Sequence, residues 1–168
     1  MTTLNGSYTL TNRGQPEPAT IRSYQGFRSG VVIAYNPTDG KHTHMGTYGV
    51  ETPEANFPGA GQATYRGVAF DMTEQGTLTY HVDFAAKNGH GEITGLSRYG
   101  TITLANVPVK TVKNSYGVIA GTASSAKGGS FDYGVGFAGE QAEEIAGFAT
   151  NAQGEAVGFH GTRGAISE

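Results

Sequence analysis

The chain has 168 residues, a formal net charge of -3, 37% hydrophobic and 15% charged residues, 27 glycines and no cysteine. The charge leaves no nucleic-acid footprint, the missing cysteine rules out a disulfide framework and a thiol nucleophile, and no apolar run reaches the roughly 18 residues of a membrane-spanning helix. Abundant glycine, with β-branched and aromatic residues recurring throughout, points to an all-β chain of short strands and turns rather than a helical bundle or a disordered segment.

No secretory signal peptide opens the chain. Residues 1–61 carry Pro16, Pro18, Pro37, Pro53 and Pro58 among strand-like runs. Strands are predicted over "GSYTLTN" (6–12), "ATIRSYQ" (19–25), "SGVVIAYN" (29–36) and "THMGTYGV" (43–50). Their separators, "RGQPEP", "GFR" and "NPTDGKH", are turn chemistry. Four short strands make a marginal fold alone, so this small antiparallel, handle-like sheet is expected to pack on the remainder of the chain. "TPEANFPGAGQ" (52–62) reads as a linker.

From residue 62 to 168 the pattern is more regular. Strand-length runs, from "ATYRGVAFD" and "GTLTYHVDFA" to "EIAGFAT" and "GEAVGFHG", succeed one another at hairpin spacing, the signature of a sandwich or an up-and-down barrel. Leu78, Tyr80, Val82 and Phe84, and again Phe131, Tyr133, Val135 and Phe137, alternate with period two and so line one face of a strand. "GEQAEEIAG" (139–147) is the one helix-like stretch, where Glu140, Glu143 and Glu144 are predicted to form a single acidic turn.

The stretch "LTYHVDFAAKNGHGEITG" (78–95) offers His81, Asp83, His90 and Glu92 as metal ligands. Asn88-Gly89 is a strong two-residue hairpin signal and sets Lys87 opposite His90, Ala85 opposite Glu92 and Phe84 opposite Ile93. In that register the two histidines lie on the order of 20 Å apart, too far for one ion, so no metal site is expected and Lys87 pairs with Glu92 on a solvated face. His42 and His44 fall on one strand face about 7 Å apart and would contact haem or a metal only with a third ligand from elsewhere. Tyr24, Phe27, Arg28 and Tyr35 gather the aromatic and guanidinium character of a protein-binding surface around one turn; the commoner alternative is that the tyrosines pack the small sheet. "GTASSAKGG" lacks the ending of a phosphate loop, and no local Ser-His-acid or paired-carboxylate set supports catalysis. The expectation is a protein that is not an enzyme.

"GQATYRGVAF", "GTLTYHVDFAAKNGHGEI", "GVGFAGEQAEEIAGFAT" and "GEAVGFHGTR" together resemble the carboxy-terminal barrel of the factor H-binding protein family, and the barrel ends of transferrin-binding protein B and the neisserial heparin-binding antigen. The resemblance spans about residues 61–163, with "DFAAKNGHGEI" its most specific part. It implies an eight-stranded antiparallel β-barrel after the small sheet, and a surface lipoprotein at the outer membrane of a Gram-negative bacterium. The lipobox cysteine that anchors such proteins is absent from this chain. The implied function is binding of a host serum protein, with complement factor H as the leading partner, by a monomer without a cofactor. Capture of haem, haemoglobin or transferrin is the alternative, and an adhesin or stability module the third.

Overall fold

The computed structural model describes residues 1–9, 14–112 and 115–168. Strands β1 (Thr2–Thr9), β2 (Pro16–Gln25), β3 (Ser29–Tyr35) and β4 (His42–Gly49) pair antiparallel in chain order as a four-stranded sheet. Next come β5 (Gln62–Phe70), β6 (Gln75–Asp83), β7 (Asn88–Leu96), β8 (Gly100–Pro108), β9 (Lys110–Val112), β10 (Ser115–Ser125), β11 (Gly129–Ala138), β12 (Glu144–Asn151) and β13 (Ala156–Arg163). Eight of these close on themselves: β10 spans β8 and β11, and β13 returns to β5, with Gly158 opposite Phe70 and Arg163 opposite Tyr65. The short β9 adds to one end of β10. The chain is therefore all-β, an eight-stranded antiparallel barrel preceded by a small antiparallel sheet, as the alternation and the resemblance led one to expect.

The period-two sets point inward. Leu78, Tyr80, Val82, Phe84, Phe131, Tyr133, Val135 and Phe137 are all buried in the barrel core. The stretch read as a linker is a stopper. It forms a 3-10 turn at Glu54–Asn56, and Phe57 packs edge-on against Phe84 at 5.4 Å and Phe137 at 5.1 Å at one barrel end. Such edge-to-face pairs contribute about 0.5–1.5 kcal/mol beyond area burial.

Two local expectations are corrected. "GEQAEEIAG" is not helical: it is the β11–β12 turn, made by Gly139 at φ 96 and Ala142 at φ 59, and Glu144 already begins β12. The β6–β7 turn is not Asn88-Gly89 but Phe84–Lys87, with Lys87 at φ 50 and the Ala86 N–H donating to Asp83 Oδ1 at 2.8 Å. The register becomes His81 opposite His90, Tyr80 opposite Gly91 and Leu78 opposite Ile93. Both registers put the same residues on the same faces, because they differ by an even number of positions. Sterics decide between them. A Cβ on Gly89 would lie 2.6 Å from the Tyr80 hydroxyl and one on Gly91 2.8 Å from its ring, so both glycines serve as the floor beneath Tyr80.

The small sheet lies against the barrel through the inward face of β3. Val31, Ile33 and Tyr35 are buried with Phe70 and Ala156, and Met45, Met72 and Phe148 pack around them. At one end Arg22 reaches across, donating to the Asp71 and Glu74 carbonyls at 2.7 Å each in the β5–β6 turn and stacking its guanidinium over Phe70 at 5.7 Å.

Candidate functional site

The other end of the sheet is fixed by a polar cluster that presents a turn to solvent. β2 and β3 are joined by Gly26, Phe27 and Arg28, with the Gly26 N–H donating to the Ser29 carbonyl at 2.8 Å. Glu144 and His160 come from the barrel strands β12 and β13, where Glu144 pairs with Thr162 and Ala146 with His160, so both side chains face the sheet. The Phe27 N–H donates to Glu144 Oε1, and the Arg28 and Ser29 N–H groups to Oε2, each at 2.9 Å. The Ser29 hydroxyl also donates to Oε2 at 2.9 Å and lies 3.0 Å from His160 Nε2, which is itself 3.2 Å from Oε2. Gly26 is required for this approach, since a Cβ there would meet the His160 ring at 2.4 Å.

Burial works against the charge on Glu144, but the donors from Arg28, Ser29 and Phe27 and the neighbouring His160 outweigh it and hold the carboxyl below its ordinary range. Burial pushes His160 below its ordinary value, and Glu144 opposes that only in part. At neutral pH the pair is a carboxylate and a neutral imidazole whose Nε2–H faces Ser29 and Glu144. A serine, a histidine and an acid have thus come together, yet they are not a nucleophilic relay. Serine and carboxylate share the same ring nitrogen, where a relay needs opposite ones, and Ser29 is buried with its hydrogen directed at the carboxylate. The arrangement is a latch holding one turn rigid.

What the latch displays is Phe27, 88% exposed, with the Arg28 guanidinium 5.6 Å from its ring. The Arg28 carbonyl accepts the Val50 N–H at 3.1 Å, which sets the exposed Val50 beside the turn. Exposed Tyr48 lies over Gly30 on the outer face of the sheet. Of the four residues singled out in the sequence, Phe27 and Arg28 form this protrusion. Tyr24 is half-buried with its ring 5.1 Å from that of His160, and Tyr35 is buried in the seam, donating its hydroxyl to the Ala156 carbonyl at 2.9 Å.

The histidines are rearranged too. A bulge in the β3–β4 ladder pairs His42 with Tyr35 and His44 with Ala34, so the two do not share a face. His42 Nδ1 meets the Gly154 carbonyl on the barrel at 2.6 Å, while His44 lines an outer groove of about 420 Å³ with Ile21, Val32 and Ala34. His81 and His90, expected far apart, have ring centroids 5.2 Å apart at 30°.

Glu144, His160 and Ser29 were missed in the sequence, although a signal existed. β12 and β13 are nearly continuous runs of apolar residues and glycine, as in strands covered on both faces, and a charge inside such a run needs a buried partner.

The profile of the family described as "Factor H binding protein, C-terminal" matches residues 55–149. The haemoglobin receptor HpuA of Kingella denitrificans superposes with a TM-score of 0.67 at 17% identity, over 98% of this chain and 67% of that one. A mutant of the vaccine antigen transferrin binding protein B from Haemophilus parasuis Hp5 gives 0.58 at 16% identity, and there this chain spans only 38% of the larger protein. A surface lipoprotein gives 0.56 at 14% identity, over 95% of this chain and 81% of that one. At such identities the likeness is one of fold.

Proposed function

The chain belongs to the factor H binding protein C-terminal family, and from that premise we propose that it is a non-catalytic recognition barrel at the bacterial outer-membrane surface that binds a host serum protein, a complement regulator such as factor H first among them. The observation that carries this reading is Phe27. A large aromatic ring left 88% exposed on a turn fixed by a buried carboxylate is unfavourable for an isolated chain but suits an interface anchor. Rigidity keeps the entropy cost of binding low, and the adjacent Arg28 adds a second residue type enriched at interfaces. The test is retention of serum proteins by the immobilised chain, compared with Phe27→Ala. Selective retention of a complement regulator, lost in the variant, supports the proposal; no retained protein at micromolar concentration overturns it.

Capture of haemoglobin or transferrin is the second reading, supported by the fold shared with the haemoglobin receptor over 98% of this chain. Haemoglobin and transferrin columns run in parallel distinguish it. Direct haem capture is decided by a titration of the Soret band; His42 and His44, which raised it, face different surroundings.

A further inference from the structure

On the barrel wall, two strands along the ladder from β13, β6 and β7 set His81 directly opposite His90 with both side chains exposed and their rings 5.2 Å apart. We propose that these two imidazoles form a binding site for a divalent late first-row transition ion of the Cu²⁺ or Zn²⁺ class.

Directly opposed residues in an antiparallel pair have Cβ atoms about 4.5–5.5 Å apart, and two imidazole nitrogens about 2.0–2.1 Å from one ion need only modest side-chain rotation from there. His81 is already oriented: its Nδ1 lies 2.9 Å from Thr64 Oγ1, which leaves Nε2 for the metal. Fixing the second ring nitrogen in this way is what supporting residues do in imidazole metal sites. The pair borders a groove of about 500 Å³ whose lining includes Asp83, Asn88 and Asn106, giving room for water ligands. Two charged neighbours, Arg66 and Glu92, act on His81 with opposite sign. Arg66 also opposes the ion and Glu92 favours it, which makes the site one of moderate strength. Among the described residues no group of three or more His, Cys, Asp or Glu is placed around one ion, so the remaining positions fall to solvent.

The experiment is calorimetric titration of the untagged full chain with Cu²⁺, Zn²⁺ and Mg²⁺, with the imidazole resonances followed by NMR. One ion per chain is expected, Cu²⁺ tighter than Zn²⁺ and Mg²⁺ silent. His81→Asn and His90→Asn should each weaken binding by roughly tenfold or more, Thr64→Val by a smaller factor, and His44→Asn not at all. All these residues are exposed or half-buried, and thermal melts confirm that the variants fold. Absence of saturation at millimolar metal, or binding that persists in the His81→Asn, His90→Asn double variant, overturns the proposal. Neither outcome bears on host-protein binding, which rests on a different surface.

Discussion

Glu144 Oε2 accepts the Ser29 hydroxyl at 2.9 Å across a sequence separation of 115 residues. Through this bond and three backbone N–H groups, one carboxylate ties the small sheet to the barrel and fixes the turn that displays Phe27.

Glu144→Ala should therefore be costly. It leaves the N–H groups of Arg28 and Ser29 in the seam without their acceptor, a loss of about 1–3 kcal/mol for each buried donor left unpaired. Glu144→Gln keeps an oxygen acceptor and should cost about 1–3 kcal/mol. Urea unfolding measures both. Exposed Glu140→Ala is the control and should stay within about 0.5 kcal/mol of wild type; equal midpoints for Glu144→Ala and Glu140→Ala would refute the latch.

Acid should loosen the same connection. His160 titrates lower in the folded chain than its ordinary 6.5, so the unfolded chain takes up a proton first and stability declines as pH falls below about 6.5 towards the folded value. Glu144, also depressed, contributes stability above its ordinary 4.5 that is lost as pH falls through its folded value. Thermal midpoints measured from pH 8 to 2 should fall in these two stages, and His160→Gln should flatten the upper one.

Gly89→Ala probes the hairpin register. Gly89 sits in the strand with its Cα hydrogen beneath Tyr80, so the new methyl overpacks the core, at a cost of about 1–3 kcal/mol. Tyr80→Ala removes the obstructing ring, and adding Gly89→Ala to that variant should cost much less than it does in wild type. Additive effects in this double-mutant cycle would mean that the ring and the glycine do not touch.

Phe27→Ala separates recognition from folding. The ring is almost fully exposed, so its removal should leave the thermal midpoint nearly unchanged while weakening retention of a serum partner by about 2 kcal/mol or more, the range of an interface anchor. Arg28→Ala should weaken it less and make the remaining binding less sensitive to salt.

Strand positions were legible because alternation and turn chemistry are local properties. β3 begins at Ser29, where the sequence pattern puts it. The β6–β7 register was not, because sliding the pairing by an even number of residues keeps Tyr80 and Ile93 inward either way; only the fit of Tyr80 over Gly89 and Gly91 separates the two. The latch was hidden for another reason. Its members lie on three strands, and Glu144, read beside Glu140 and Glu143, looks like ordinary surface acidity until Ser29 and His160 are brought against it. Of the four candidate surface residues, Tyr35 shows the limit of composition: a tyrosine next to a turn can equally well close a seam with its hydroxyl on a buried carbonyl.

The stopper at Phe57 and the rings of Tyr65, Tyr80 and Phe137 occupy the barrel interior with side chains. Inward positions are thus bound to one another by shape, and a change at any of them is paid for in packing. The alternate outward positions, such as Thr79, Glu92 and Thr103 along one row of the wall, carry no such obligation. Drift can rewrite them one by one while the backbone stands still. A lineage built on this barrel can therefore change the face of its wall without passing through an unfolded ancestor.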